Sequence, residues 1–296
     1  MITKTAMITI CGRPNVGKST LTNQLVGEKV AIVTNKPQTT RNRITAIVNR
    51  GETQFVLMDT PGFHKARTRL GDYMVNIVRE SVADVDAVLL MVEPIPSIGA
   101  QEAALIERLK ETKVPAILVI NKIDTVEKTE LLAVIAAYSA AFEFADVIPI
   151  SAQQKDGLDE LLDALEKFAE EGPQLFPDDM ICDQPEKQIC AEIVREKLLL
   201  CLDKEVPHGT AVEVTRFTER DNEIIDMDVT IYCEKASHKG IIIGKKGAML
   251  KKIGEQARID IENFMGTKVF LQTWVKVKEN WRDSQTQLRN FGFTEQ

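Results

Sequence analysis

The sequence predicts a large α/β domain built on a mostly parallel sheet, followed by a small α+β domain. Three observations lead there. Short apolar runs alternate with longer helical patterns up to about Gly172. A stretch punctuated by Pro, Gly and Asp follows, over residues 173–184. Beyond it the texture changes to strictly alternating strands around one amphipathic helix. The bulk composition agrees. The chain has 296 residues, 44% hydrophobic and 27% charged, enough to bury two ordinary cores. Its net charge of -7 gives no global basicity, so any nucleic-acid surface must be a local patch. Cys11, Cys182, Cys190, Cys201 and Cys233 include no Cys-x-x-Cys pair and read as free thiols of a reducing compartment. Residues 1–10 are too short and polar for a signal peptide, and no apolar run approaches the ~20 residues of a membrane-spanning helix. The expectation is a cytoplasmic protein without a transmembrane segment. Peripheral contact at the inner face of the cell membrane stays open.

In the first domain the apolar runs are residues 7–10, 55–58, 87–92, 116–120 and 147–150. Each has the length of a strand buried on both faces. Residues 101–110 and 158–168 carry helical periodicity. Residues 44–48 and 53–58, joined by Asn49-Arg50-Gly51-Glu52, read as a hairpin, which makes one edge strand antiparallel. We place this domain at 1–172, a linker at 173–184, and a second domain at 185–296. The second domain opens with a helix over 186–202. Strands over 212–217, 225–234 and 269–277 follow, with a helix marked by Leu250, Ile253, Ala257, Ile261 and Phe264 before the last of them. The predicted order is helix, strand, strand, helix, strand.

Four motifs carry the chemistry of the first domain, each at the carboxyl end of a predicted strand, where ligands of open α/β sheets bind. Gly12-Arg13-Pro14-Asn15-Val16-Gly17-Lys18-Ser19 fits a phosphate-binding loop. Gly12, Asn15, Val16, Gly17, Lys18, Ser19 and Thr20 should surround the phosphates through backbone N–H groups and the Lys18 ammonium. The Ser19 hydroxyl should hold Mg²⁺. Asp59-Thr60-Pro61-Gly62 supplies a carboxylate that reaches Mg²⁺ through water and a Gly62 N–H for the γ-phosphate. Asn121-Lys122-Ile123-Asp124 supplies the base selector. The Asp124 carboxylate accepts from the two N–H groups that guanine offers and adenine lacks. At ~1.5–3 kcal/mol per charge-assisted bond, losing two discriminates by roughly 10²–10⁴-fold. Ser151-Ala152 closes the set, with the Ala152 N–H expected on guanine O6. Each tetrapeptide alone could be an ordinary turn; four in the required order point to GTP. Between the first two motifs, a threonine must complete the Mg²⁺ shell in the GTP state. Thr40 is the first choice and Thr39 the second.

In the second domain, Gly244-Lys245-Lys246-Gly247 lies between the strand over 225–234 and the helix beginning near Ala248. From Lys235 to Lys252 there are six lysines and no acidic residue. Residues 203–296 hold 15 basic and 15 acidic side chains, so the basicity is local. A Gly-x-x-Gly loop of this kind clamps the backbone of about four nucleotides. Lys239, Gly244, Lys245, Lys246, Gly247 and Lys251 are the candidate RNA contacts. Phe264, Phe270, Trp274 and Trp281 could stack on bases, though core packing is the default for most of them.

These motifs together, with Gln38-Thr39-Thr40-Arg41 and Asp59-Thr60-Pro61-Gly62-Phe63-His64, resemble the Era-like family of bacterial GTPases over nearly the whole chain. The resemblance implies a P-loop GTPase domain followed by a KH domain of type II topology. It implies binding to the 3′ region of small-subunit ribosomal RNA and action in small-subunit assembly and rRNA maturation. GTP and GDP, Mg²⁺, that RNA and the small ribosomal subunit are the implied partners. Ras-like proteins place a catalytic glutamine where this chain has Phe63, which cannot orient water. No general base is assigned, and His64 reads as an exposed loop residue. Lys18 and Asn15 remain as stabilisers of transition-state charge. In the wider family an asparagine at the Asn15 position can help hold K⁺ against the phosphates; the alternative is that it only hydrogen-bonds its loop.

Overall fold

The computed structural model describes residues 1–63, 68–82, 85–220 and 223–293. It divides into two compact units. The first comprises Met1–Ala31, Thr40–Ala66 and Met74–Asp183, and the second Ile32–Thr39, Arg67–Tyr73 and Gln184–Gln296.

The first unit runs β1 (Lys4–Gly12), α1 (Lys18–Val26), β2 (Ile44–Arg50), β3 (Thr53–Asp59), then α2 (Arg69–Glu80), which begins in the second unit. It continues with β4 (Ala87–Val92), α3 (Ala100–Thr112), β5 (Ala116–Ile120), α4 (Lys128–Ala141), β6 (Asp146–Pro149), α5 (Leu158–Glu166) and the two-residue β7 (Glu170–Glu171). The sheet order is β2-β3-β1-β4-β5-β6, with β7 pairing β1. β2 and β7 are antiparallel to their neighbours and the rest is parallel. The uninterrupted apolar runs are explained by burial on both faces. Val88, Leu90, Val92, Leu118 and Ile120 pack with Leu105, Ile106 and Leu109 of α3 and with Val134 and Tyr138 of α4. Ala87, Leu89, Met91, Ile117 and Val119 alternate with them and are equally buried. The parallel strands leave their carboxyl ends, and hence all four motifs, on one edge of the sheet.

Residues 173–184, read from the sequence as a linker, lie almost wholly with the first unit. Ile47 N donates to Ile181 O at 2.9 Å and Asp183 N to Thr45 O at 3.0 Å, so this segment continues the sheet beyond β2. Gln54 accepts from Leu175 N and Phe176 N through its Oε1, 2.9 Å each. Such pairing leaves no hydrophobic period, which is why the segment looks structureless in sequence.

The second unit runs α6 (Glu186–Cys201), β8 (Thr210–Glu219), β9 (Ile225–Cys233), α7 (Ala236–Ile243), α8 (Ala248–Met265), β10 (Val269–Val277) and α9 (Gln285–Asn290). Its sheet order is β10-β9-β8, with β8 antiparallel and β10 parallel to β9. The expected elements are present, and α7 is an addition. Ile241-Ile242-Ile243 has strand-forming character, yet it forms the last turn of a helix ending at Gly244. Ile242 alone of the three is fully buried, so packing overrides the local preference. α6 is buried nearly all round, including Arg195, Glu196 and Lys197.

Candidate functional site

The phosphate loop bends between β1 and α1. Asn15 sits exposed at its tip with a left-handed φ of 67°, a conformation that Asn tolerates better than most residues. Gly17 has φ 101°, and a Cβ there would lie 2.2 Å from Asn121 Nδ2. Only glycine lets the loop and the base-recognition segment approach this closely. Lys18 is buried, and its Nζ donates to the carbonyls of Gly12 and Arg13 at 3.2 and 3.1 Å. Burial pulls its ammonium below the usual lysine range, opposed by the Asp59 carboxylate. Val16, Gly17, Lys18, Ser19 and Thr20 complete the loop and first turn of α1. The N–H groups of such a turn have no intrahelical partner and face an anion.

Ser19, Thr40 and Asp59 converge. Ser19 Oγ donates to Asp59 Oδ2 at 2.7 Å and lies 2.8 Å from Thr40 Oγ1. Asp59 Oδ1 is buried with no hydrogen-bond partner. Burial pushes the Asp59 carboxyl up to about 6, although Lys18 and Ser19 pull it down. A buried, half-paired carboxylate beside two hydroxyls is a hard-oxygen donor set that fits Mg²⁺. Among the described residues no cluster of three His, Cys, Asp or Glu is present, so phosphate and water oxygens must complete the shell. Thr39, the second choice, is engaged locally, its Oγ1 donating to Lys36 O and lying 2.7 Å from Thr34 Oγ1.

The second motif meets the first where Phe63 N donates to Gly12 O at 3.2 Å, which brings Gly62 beside the loop. The Phe63 ring packs partly buried against the α3/α4 core, so it offers no group to a water molecule. His64 lies outside the described residues.

At the base end, Asp124 is exposed and its Oδ1 accepts from Ser151 Oγ at 2.6 Å. Asn121 acts as a brace. Its Nδ2 donates to Val16 O at 2.7 Å and its Oδ1 accepts from Ala152 N at 2.9 Å. The Ala152 N–H, expected on guanine O6, is thus held by Asn121 here. Sequence reasoning missed Glu93, one residue past β4. It accepts from both Arg13 and Lys122, which ties the phosphate loop to the base-recognition loop. Burial raises the Glu93 carboxyl, but Lys122 and Arg13 outweigh it and hold it below the usual range. Its position at a strand's carboxyl end was the available signal.

The second site lies on the other unit. Lys245 and Lys246 are exposed between α7 and α8. Gly244 has φ 72°, and a Cβ there would meet Met249 Cβ at 2.7 Å, so the loop folds tightly onto α8. Lys239 is half-buried on α7, and exposed Lys251 lies 3.7 Å from Glu255. Trp281 is fully buried and donates to Gly209 O at 2.9 Å, as core packing requires. The default of burial fails for Phe270 and Trp274, which are exposed on one face of β10, and Phe264 is half-buried. The i, i+4 spacing in a strand puts the exposed pair on one side.

Residues 7–122 match the family model of the 50S ribosome-binding GTPase, and residues 205–282 match the KH domain model. The chain is 52% identical to GTPase Era of Ruminiclostridium cellulolyticum, over 98% of this chain and 97% of that one. It is 49% identical to GTPase Era of Clostridioides difficile, over 99% of each. This chain belongs to the Era family of GTPases. Two solved Era structures superpose over 99% of it. One is an Aquifex aeolicus Era variant bound to GDP and AlF₄⁻, with a TM-score of 0.94 and 37% identity. The other is Era in complex with MgGDPNP and nucleotides 1506–1542 of 16S ribosomal RNA, with a TM-score of 0.95 and 36% identity. Full-length Era matches account for the order of the two units, a P-loop GTPase domain and then a KH domain, and for the reaction, hydrolysis of GTP to GDP and phosphate.

Proposed function

We propose that this Era-family GTPase binds the 3′ region of small-subunit ribosomal RNA through its KH unit. We further propose that it uses GTP binding and hydrolysis in assembly of the small subunit and maturation of its rRNA. The observation that carries the RNA reading is the exposed Gly244–Gly247 loop, set in a run of six lysines without an acid. A relative matching 99% of this chain was solved with nucleotides 1506–1542 of 16S ribosomal RNA, which supports the choice of RNA.

In this reading Lys18 exchanges two backbone carbonyls for the β- and γ-phosphates of GTP. Asp124, steadied by Ser151, accepts from the guanine base, and Lys122 covers it. The N–H of Gly62 reports whether the γ-phosphate is present. Ser19 and Thr40 would hold Mg²⁺, with Asp59 reaching it through water, and the bound ion would supply neutralisation of charge on the phosphates. Lys18 and Asn15 would stabilise the same charge, and Asn15 would help hold K⁺ as the monovalent partner. No side chain at position 63 activates water, so positioning and electrostatics carry the rate. No described helix is long and apolar enough to cross a membrane. We assign the protein to the cytoplasm; flotation with anionic vesicles tests contact at the inner membrane face.

The deciding experiment compares binding to an RNA copy of the small-subunit 3′ end with binding to a scrambled sequence over a range of salt. A four-nucleotide clamp predicts a log–log salt slope of roughly -3, at ~0.7 per phosphate. It also predicts clear preference for the 3′-end sequence. Equal affinity for both RNAs would overturn the rRNA assignment.

A further inference from the structure

The segment Ile32–Thr39, between α1 and Thr40, belongs to the second unit and not to the nucleotide-binding one. Four charged side chains from α6 and this segment, Glu192, Arg195, Glu196 and Lys36, tie it there. Arg195 is 1% exposed. Its guanidinium donates to the carbonyl of Thr39 and lies 3.5 Å from that of Gln38. Glu192, one turn earlier, accepts from Arg195 Nε at 2.8 Å and from Nη2 as well, which fixes the plane of the fork. Glu196 Oε1 accepts from Val33 N at 2.9 Å at the other end of the segment. Lys36 donates to Leu202 O and pairs with Asp203 at 3.3 Å.

A buried arginine carries a large desolvation penalty unless its donors are used. Here they are shared between the Glu192 carboxylate and two backbone carbonyls, so the contact to the segment reads chain position and not side-chain identity. The next residue along that backbone is Thr40, whose hydroxyl stands 2.8 Å from Ser19 Oγ. Placing the carbonyl of Thr39 sets the start of Thr40, and a misplacement of ~1 Å at such a group can lower a rate ~10²-fold.

We propose that Arg195, oriented by Glu192, is a positioning residue for GTP hydrolysis: it holds the Gln38–Thr39 backbone so that the Thr40 hydroxyl faces the Mg²⁺ site. This rests on the assignment of Thr40 to that site. Thr40 is expected to ligate the ion only when the γ-phosphate is present. A positioning role therefore predicts an effect specific to the triphosphate state. A merely structural role weakens GDP and triphosphate binding together.

The test measures affinity for GDPNP and for GDP, each as a function of Mg²⁺ concentration, in the full-length protein and in Arg195→Gln, Arg195→Lys, Glu192→Gln and Thr40→Ala. The expected result is a fall of ~10-fold or more in the GDPNP-to-GDP affinity ratio for Arg195→Gln and Thr40→Ala, with a higher Mg²⁺ requirement for GDPNP alone. Arg195→Lys, which keeps one donor group, should recover part of the loss, and Glu192→Gln should show a smaller shift of the same sign. If Arg195→Gln does not fold, the half-buried Glu192→Gln decides. A shift in Thr40→Ala with none in the Arg195 or Glu192 variants overturns the proposal while sparing Thr40. No shift in Thr40→Ala overturns the ligand assignment, and the proposal falls with it.

Discussion

Asp124 is held by one short hydrogen bond from Ser151 and otherwise faces solvent. In the proposed role, its contribution to binding depends on the base it meets. Asp124→Asn should weaken GTP binding by ~10²-fold or more and admit xanthosine nucleotide, because an amide donates where the carboxylate accepted. Competition against a fluorescent GDP analogue measures both, and unchanged GTP affinity removes Asp124 from its role. Asn15 presents a different problem, since its left-handed φ is itself a reason for asparagine. Hydrolysis should be faster in KCl than in NaCl at matched ionic strength, and Asn15→Gly should abolish the difference. Glycine accepts the left-handed φ while removing the whole side chain, amide oxygen included. Equal rates in the two salts, or a potassium effect intact in Asn15→Gly, sinks the idea. Of these residues the sequence named Asp124, Ser151 and Asn15 from motif chemistry. It did not name Glu93, because a single acid after a strand has no spacing signature; its role exists only because Arg13 and Lys122 fold to either side of it.

At the scale of elements, the α7–loop–α8 unit shows where periodicity runs out. The alternation of β9 and the 3.6-residue repeat of α8 are plain in sequence, and α7 is not. Eight residues ending in three isoleucines have no amphipathic stripe long enough to read. The loop between the helices keeps Lys245 and Lys246 exposed with α8 beginning just behind it. Replacing both with Asp should lower RNA affinity at least ~10-fold and flatten the salt slope by roughly one to two, with GTP affinity unchanged. Filter binding across salt concentrations checks the first part and nucleotide titration the second. Survival of RNA affinity at physiological salt places the clamp elsewhere.

Over the whole molecule, two units carry two cores, and the thiols sample both. Cys11 and Cys182 are buried in the first unit and Cys190 and Cys233 in the second, while Cys201 is half-buried. Burial pushes the Cys11 and Cys190 thiols up to about 12 and raises that of Cys233. A thiol reagent should therefore modify at most about one site quickly in the native protein and five in denaturant. The four slow sites should react in two pairs if each unit opens as its own cooperative body. Quantifying modified cysteines by mass spectrometry over time checks this; rapid native reaction of Cys11 would contradict its burial in β1.

The order of elements apart from α7, the four nucleotide motifs and the Gly-x-x-Gly loop are legible in the chain alone. Each depends on local chemistry or on period, which neighbouring residues express together. Three further matters rest on packing. It put residues 173–184 beside β2, through backbone hydrogen bonds that any sequence could supply. It set the Thr40 hydroxyl beside Ser19 and engaged that of Thr39 with Lys36 and Thr34, because a hydroxyl's partner 21 residues away leaves no mark on the chain near it. And it joined Ile32–Thr39 to α6 through Arg195 and Glu196, across more than 150 residues. A charged residue in a helix is visible in sequence, but its burial and the group that satisfies it are not, since both are properties of the packed chain.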